Sequence, residues 1–233
     1  MTKKRQWIKI ISMSIFLLFI GFSTILTFAI EQGTVRKPDE NKAGGSRIGL
    51  GFLAGYGLFS DSLYSGSMSF GAAFTFGFSR NLAVELGGIY LKGNVDSAPE
   101  SLSKGKLTTM PLQLSLMGRF PVGRKLTPYV LAGGSYFLNS FTLDRTVIDG
   151  WNTVGFTLTE KVDKSFGFHF GGGLEFALGK TLSACIDVRY LLAKSKGSWI
   201  LKDNKSPLES IGTFSNLKLN SLMLAIGLKY FLK

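Results

Sequence analysis

One cysteine, Cys185, and one histidine, His169, are all that this 233-residue chain offers to thiol or imidazole chemistry. A lone thiol forms no intramolecular disulfide, and the pair is too few for a structural zinc site, which takes four such ligands. Cys185 therefore reads as a small packed side chain, and no metal or cofactor is expected. Acidic residues are scarce as well: 15 Asp and Glu stand against 27 Lys and Arg, for a net charge of +12. The basic residues are dispersed, with no Lys/Arg block of the kind that grips nucleic acid, so no nucleic-acid partner is expected. No phosphate loop or dinucleotide fingerprint is present. Gly171-Gly172-Gly173 sits inside an alternating run and reads as strand crowding rather than a phosphate cradle. After residue 30 no window is apolar and long enough for a transmembrane helix.

What fills the chain instead is alternation. In Leu112-Gln113-Leu114-Ser115-Leu116-Met117-Gly118-Arg119-Phe120, the residues Leu112, Leu114, Leu116 and Phe120 share one parity, and Gln113, Ser115 and Arg119 the other. A period of two is a strand with one apolar and one polar face. The pattern recurs over about 47–59, 67–78, 82–92, 106–120, 127–140, 165–178, 182–193 and 217–232, predicting eight strands. The fifth has no clear parity around Gly133-Gly134. Connections alternate between tight ones at 79–81, 122–125 and 179–180 and generally longer ones at 60–66, 93–105, 141–164 and 194–213. Short turns at one end and long loops at the other is the pattern of a transmembrane β-barrel of the outer membrane.

The N-terminus carries Lys3, Lys4, Arg5 and Lys9 before an uncharged apolar run from Ile10 to Ile30, with Thr27-Phe28-Ala29 as a small-residue cleavage site. Residues 1–29 are predicted to be a secretory signal peptide, the alternative being an uncleaved membrane anchor. Its removal lowers the net charge from +12 to about +8. Residues 30–45, with Pro38, Gly44 and Gly45, read as a flexible periplasmic lead-in. Residues 46–233 are about one domain's worth of chain.

Composition decides which face is outside. The polar face is mostly Gly, Ser, Ala and Thr, whereas a soluble barrel would expose a charge-rich face to water. Small residues suit the crowded interior of a narrow eight-stranded barrel, leaving Phe and Leu against lipid. Phe78, Phe120, Phe176 and Tyr230 at one end, and Tyr90 and Tyr190 at the other, form two interfacial girdles. On these registers Glu85, Arg119, His169, Glu175, Asp187, Arg189 and Lys229 point into the lumen. Buried charges must be paired, so the set forms either a network that plugs the barrel or a gate whose pairs rearrange to pass a solute. A hydrolase would need a base and an acid on a nucleophile. His169 has Glu175 on its own strand face, but about 20 Å away along the strand, and Ser183 and Ser69 are partners only by coincidence. No catalytic residue is assigned.

In the segment 141–164, Asp149-Gly150 is a hairpin turn signal. Thr146, Val147 and Ile148 before it, and Thr153, Val154 and Phe156 after it, are predicted to extend the fifth and sixth strands above the membrane. Trp151 there and Trp199 in the last loop are candidate contacts for a hydrophobic ligand, a host surface or lipopolysaccharide, or they pack the loops over the barrel mouth.

Three stretches carry a resemblance: Thr127-Pro128-Tyr129-Val130-Leu131-Ala132-Gly133-Gly134, Phe168-His169-Phe170-Gly171-Gly172-Gly173-Leu174-Glu175, and Asp187-Val188-Arg189-Tyr190. With them the chain resembles the small outer-membrane barrels of Gram-negative envelopes, the OmpA/OmpW-like family, over about 46–233. The family usually ends on an aromatic residue read by the barrel assembly machinery; this chain ends Phe231-Leu232-Lys233. The resemblance implies an integral outer-membrane protein with outer-membrane lipids, lipopolysaccharide and the assembly machinery as partners. The function it implies is a narrow porin-like channel for small or hydrophobic solutes, with a sealed structural or adhesive surface barrel as the alternative.

Overall fold

Large apolar side chains on the strands turn outward and small or polar ones turn inward. Along β1 (Arg47–Phe59), Leu50, Phe52, Tyr56 and Leu58 are exposed while Gly49, Gly51 and Leu53 are buried. The same inversion holds on β2 (Ser67–Gly77), β3 (Leu82–Val95) and β4 (Gly105–Arg119). It continues on β5 (Leu126–Leu143), β7 (Ser165–Ala177), the 22-residue β8 (Leu182–Asp203) and β10 (Ser221–Leu232). Two shorter strands, β6 (Phe156–Val162) and β9 (Glu209–Lys218), and one helix, α1 (Arg145–Thr153), complete the elements. These features come from a computed structural model that describes residues 47–60, 64–96 and 102–232. The predicted signal peptide and lead-in lie outside the described residues.

Every pairing is antiparallel, and β1-β2-β3-β4-β5-β7-β8-β10 closes back on β1 as a ring of eight strands. Closure leaves no strand edge in the apolar band, which hydrocarbon requires because it offers no partner to a backbone amide. The tight ends are held by main-chain bonds such as Phe78 N–H to the Leu82 carbonyl, Val122 N–H to Leu126 and Leu178 N–H to Leu182.

Of the eight expected strands, 217–232 is interrupted after Lys218, and 165–178 stands whole as β7 with a separate strand, β6, ahead of it. β6 and β7 both pair with β8, as do β9 and β10. β8 thus rises through the barrel and continues above it as the centre of a three-stranded sheet, β6-β8-β9. The break between β9 and β10 follows Asn216, whose φ of +67 places it in the left-handed region beside the register shift at Ser195/Gly197. Asn tolerates that conformation better than most residues, and one extra residue bends the strand.

The predicted hairpin at Asp149-Gly150 is not formed. Those residues lie inside α1, which starts because the Asp144 carboxylate accepts from Thr146 N–H (3.0 Å) and Thr146 Oγ1 (2.7 Å), an N-cap. These bonds hold the Asp144 carboxyl below its ordinary value. The chain leaves the helix at Gly155, φ +84, a position that favours glycine. Residues 146–148 therefore do not extend β5. Phe156 does begin a strand, but it pairs with β8 rather than with β5.

Candidate functional site

Odd-numbered residues of β3, β4, β5, β7, β8 and β10 meet inside the ring, and their chemistry is layered. The middle layer is polar. Arg189, 1% exposed, lies at its centre. Its guanidinium donates to Glu85 Oε1 (2.7 Å), Asp187 Oδ1 (2.7 Å) and Oδ2 (3.0 Å), and Gln113 Oε1 (2.9 Å). Lys229 Nζ completes the pairing at 3.2 Å from Glu85 Oε2 and stacks 4.9 Å from the Tyr129 ring centroid. Tyr129 donates its hydroxyl to Asp187 Oδ2 at 2.7 Å. Two carboxylates face two cations, so the layer is neutral as a whole. Glycine makes the room: a Cβ on Gly173 would lie 2.6 Å from the Tyr129 hydroxyl, and one on Gly171 2.9 Å from the Arg189 Cα.

His169 belongs to a separate polar group. Its Nε2 lies 2.7 Å from Ser115 Oγ and its Nδ1 2.8 Å from Ser135 Oγ. The hydroxyls beside it are thus Ser115 and Ser135, not Ser183 or Ser69, and both ring nitrogens are engaged by serine. Toward the tight-turn end, Arg119 Nη2 pairs with Glu175 Oε1 at 3.0 Å, and its guanidinium carbon lies 5.7 Å from the Phe231 ring centroid. The lumenal charges named from sequence accordingly fall into two ion-pair groups with the histidine between hydroxyls, rather than into one network.

Toward the long-loop end the lumen is apolar. Ile89, Leu91, Leu107, Phe137, Leu191 and Met223 pack at 0–2% exposure, and Leu102, Val162, Phe214 and Leu217 close over them. A water-sized probe does not reach Leu102, Leu107, Phe137 or Leu191. Cys185 is buried too, but in the tight-turn half, opposite Glu175 on β7 and Gly227 on β10. The cover is pinned by Glu160 on β6, whose carboxylate accepts from Ser103 N–H (2.9 Å) and Ser103 Oγ (2.6 Å). A hydrogen bond to a charged acceptor contributes about 1.5–3 kcal/mol. Glu160→Ala is therefore expected to speed hydrogen exchange at the Ser103 amide by about tenfold or more while leaving the barrel amides protected. Unchanged exchange at Ser103 would mean that the cover is held by its apolar contacts alone.

Trp199 lies on β8 above the mouth, half-buried against the apolar layer. Trp151 lies on α1, 37% exposed, with its ring edge-on to Phe156 at 6.4 Å. The two tryptophans thus occupy different settings, one packed over the barrel and one open. Tyr129, Gln113, Ser115 and Ser135 are lumenal partners that the sequence reading did not single out. Tyr129 and Ser135 sit on the strand whose parity Gly133-Gly134 obscured. Gln113 and Ser115 were on the polar face of the clearest strand, and their parity was signal enough to include them.

The sequence model of the family described as "Outer membrane protein beta-barrel domain" matches residues 15–231. Among solved structures, the outer membrane protein OprG from Pseudomonas aeruginosa is similar at a TM-score of 0.59 and 18% identity, over 82% of this chain and 97% of that one. A major outer membrane protein from Thermus thermophilus is similar at a TM-score of 0.53 and 13% identity, over 81% of this chain and 100% of that one. At these identities the likeness is one of fold. A search of curated proteins found no match.

Proposed function

Because this chain belongs to the outer membrane protein β-barrel domain family, we propose that it works as a closed outer-membrane barrel that anchors and presents the β6-β8-β9 sheet at the cell surface. It is an integral β-barrel of the outer membrane. With tight turns on the periplasmic side, as such barrels have, the sheet and α1 stand on the outside. The observation that carries the reading is the stacking of two closures in one lumen. The polar layer has its four charges mutually paired, and above it the apolar layer is packed to 0–2% exposure. Either layer alone would obstruct a solute. The competing reading, a narrow channel for small or hydrophobic solutes, needs both to part together.

No catalytic step belongs to this reading. The Ser115–His169 contact is 1% exposed and has no carboxylate on the imidazole to orient it. Solute uptake into liposomes tests the proposal. Vesicles carrying the refolded barrel should take up small sugars and short alkanols no faster than empty vesicles. Uptake that scales with the amount of inserted protein would replace the closed barrel with a channel.

A further inference from the structure

The outward face of the β6-β8-β9 sheet carries a row of lysines with no carboxylate partners. Lys194 on β8 and Lys218 on β9 are directly opposed across the strands. Lys196 follows on the same face of β8, Lys161 lies on β6 opposite Ser198, and Lys164 sits at the β6–β7 junction. All five are exposed, and among the described residues none makes an ion pair. Higher on the same face Lys202 does find a partner, Glu209, at 3.6 Å. Of the two carboxylates adjacent in sequence, Glu160 is buried and turned to Ser103, and Asp163 forms no ion pair with the lysines. Its backbone N–H donates to the Lys196 carbonyl, and its own carbonyl accepts from Asn139 and Ser195. Like charges opposed on neighbouring strands repel, so the row is poised for an anion from outside the chain.

What lies beneath it fixes the kind of anion. Leu192, two residues below Lys194 on the same face of β8, is paired with Phe168. Phe166 and Phe168 are 82% and 72% exposed, among the most protruding apolar side chains of the barrel. A cationic row directly above an apolar wall complements a molecule with hydrocarbon tails and a net-anionic phosphate head, one whose charge no choline-like ammonium cancels. We propose that this face binds a phosphorylated lipid of the outer leaflet. Lys194 and Lys218 hold the phosphate, Lys196, Lys161 and Lys164 lie alongside for further headgroup oxygens, and the acyl chains run down over Phe166, Phe168 and Leu192. Ammonium groups on flexible stems suit a headgroup of variable shape, acting as point charges without fixed geometry.

The test uses the full barrel in phosphatidylcholine nanodiscs titrated with lipid A, dephosphorylated lipid A or inorganic phosphate, with retained lipid read by native mass spectrometry. A lysine near a charged lipid surface is worth roughly fivefold in affinity. Lys194→Gln/Lys196→Gln/Lys218→Gln is therefore expected to weaken lipid A retention by about a hundredfold, and Lys194→Gln alone by about fivefold. A control with the same charge change in the tight turns, Arg124→Gln/Lys125→Gln/Lys180→Gln, should retain lipid A as the wild type does. Dephosphorylated lipid A should bind no better than phosphatidylcholine. Equal retention by the triple variant and the wild type would overturn the proposal. So would equal loss in the turn control, or saturation by inorganic phosphate at the concentrations where lipid A acts. Folding of each variant is checked by heat-modifiable gel mobility, and the single variant carries the test if the triple fails to insert.

Discussion

Replacing Arg189 by methionine is expected to lower the barrel's unfolding free energy by about 3–5 kcal/mol, the usual cost of removing one partner from a buried ion pair. The measurement is reversible urea unfolding in lipid vesicles. Methionine keeps most of the side-chain volume, so the loss is electrostatic rather than a cavity. Glu85 still has Lys229 at 3.2 Å after the change, whereas Asp187 keeps only the Tyr129 hydroxyl. The uncompensated charge is therefore Asp187. Adding Asp187→Asn to Arg189→Met should recover at least half of the loss, although Asp187→Asn alone should destabilise. A lone Arg189→Met variant within about 1 kcal/mol of the wild type would mean that water reaches the layer and screens it.

The second large effect concerns the apolar layer. Phe137 is fully buried on β5 and packs into space that Gly167 leaves open, where a Cβ would come within 2.9 Å of the ring. Phe137→Ala should cost about 3–5 kcal/mol, as truncation of a packed core phenylalanine does. Phe168→Ala is the informative comparison. Phe168 is 72% exposed and points outward, where lipid is as apolar as the ring, so its truncation should cost much less in the same vesicles. Equal costs at the two positions would mean that the lumenal layer is no better packed than the lipid face.

Alternation made the barrel legible from sequence because strand period and burial coincide on seven of the eight ring strands. Leu112, Leu114 and Leu116 are exposed while Gln113 and Ser115 are buried, as parity requires. On β5 the rule was obscured by small residues at both parities around Gly133-Gly134, and Tyr129 went unassigned although it bonds Asp187. The hairpin signal at Asp149-Gly150 lost to a helix cap five to six residues upstream, at Asp144. A local turn motif could not weigh that competition. The continuation of β8 to Asp203 was missed because above the membrane both faces of the strand are mixed. There Trp199 turns toward the mouth and Lys196 and Lys202 turn outward, so the apolar-out rule of the lipid band no longer applies.

Parity also placed Glu85, Arg119, His169, Glu175, Asp187, Arg189 and Lys229 on the lumenal face, where all seven are buried. Which of them pair was not legible. Pairing depends on the stagger between strands: Glu85 and Arg189 stand 104 residues apart in sequence and meet across the lumen. The apolar layer was hidden for a related reason. Ile89, Leu91, Leu107 and Leu191 lie at the parity that is polar lower down the same strands, and the change of chemistry along one face falls at strand ends, where periodicity is weakest.

Single-channel recording in planar bilayers tests the closed lumen most directly. The wild-type barrel, shown to be folded by heat-modifiable mobility, should give a silent bilayer. Phe137→Ala/Leu191→Ala, which removes two fully buried side chains from the upper layer, should stay silent as well, because the paired charges of the polar layer remain beneath it. A steady wild-type conductance that changes in an Arg119→Ala/Asp187→Ala variant would contradict the account and place those charges along a permeation path.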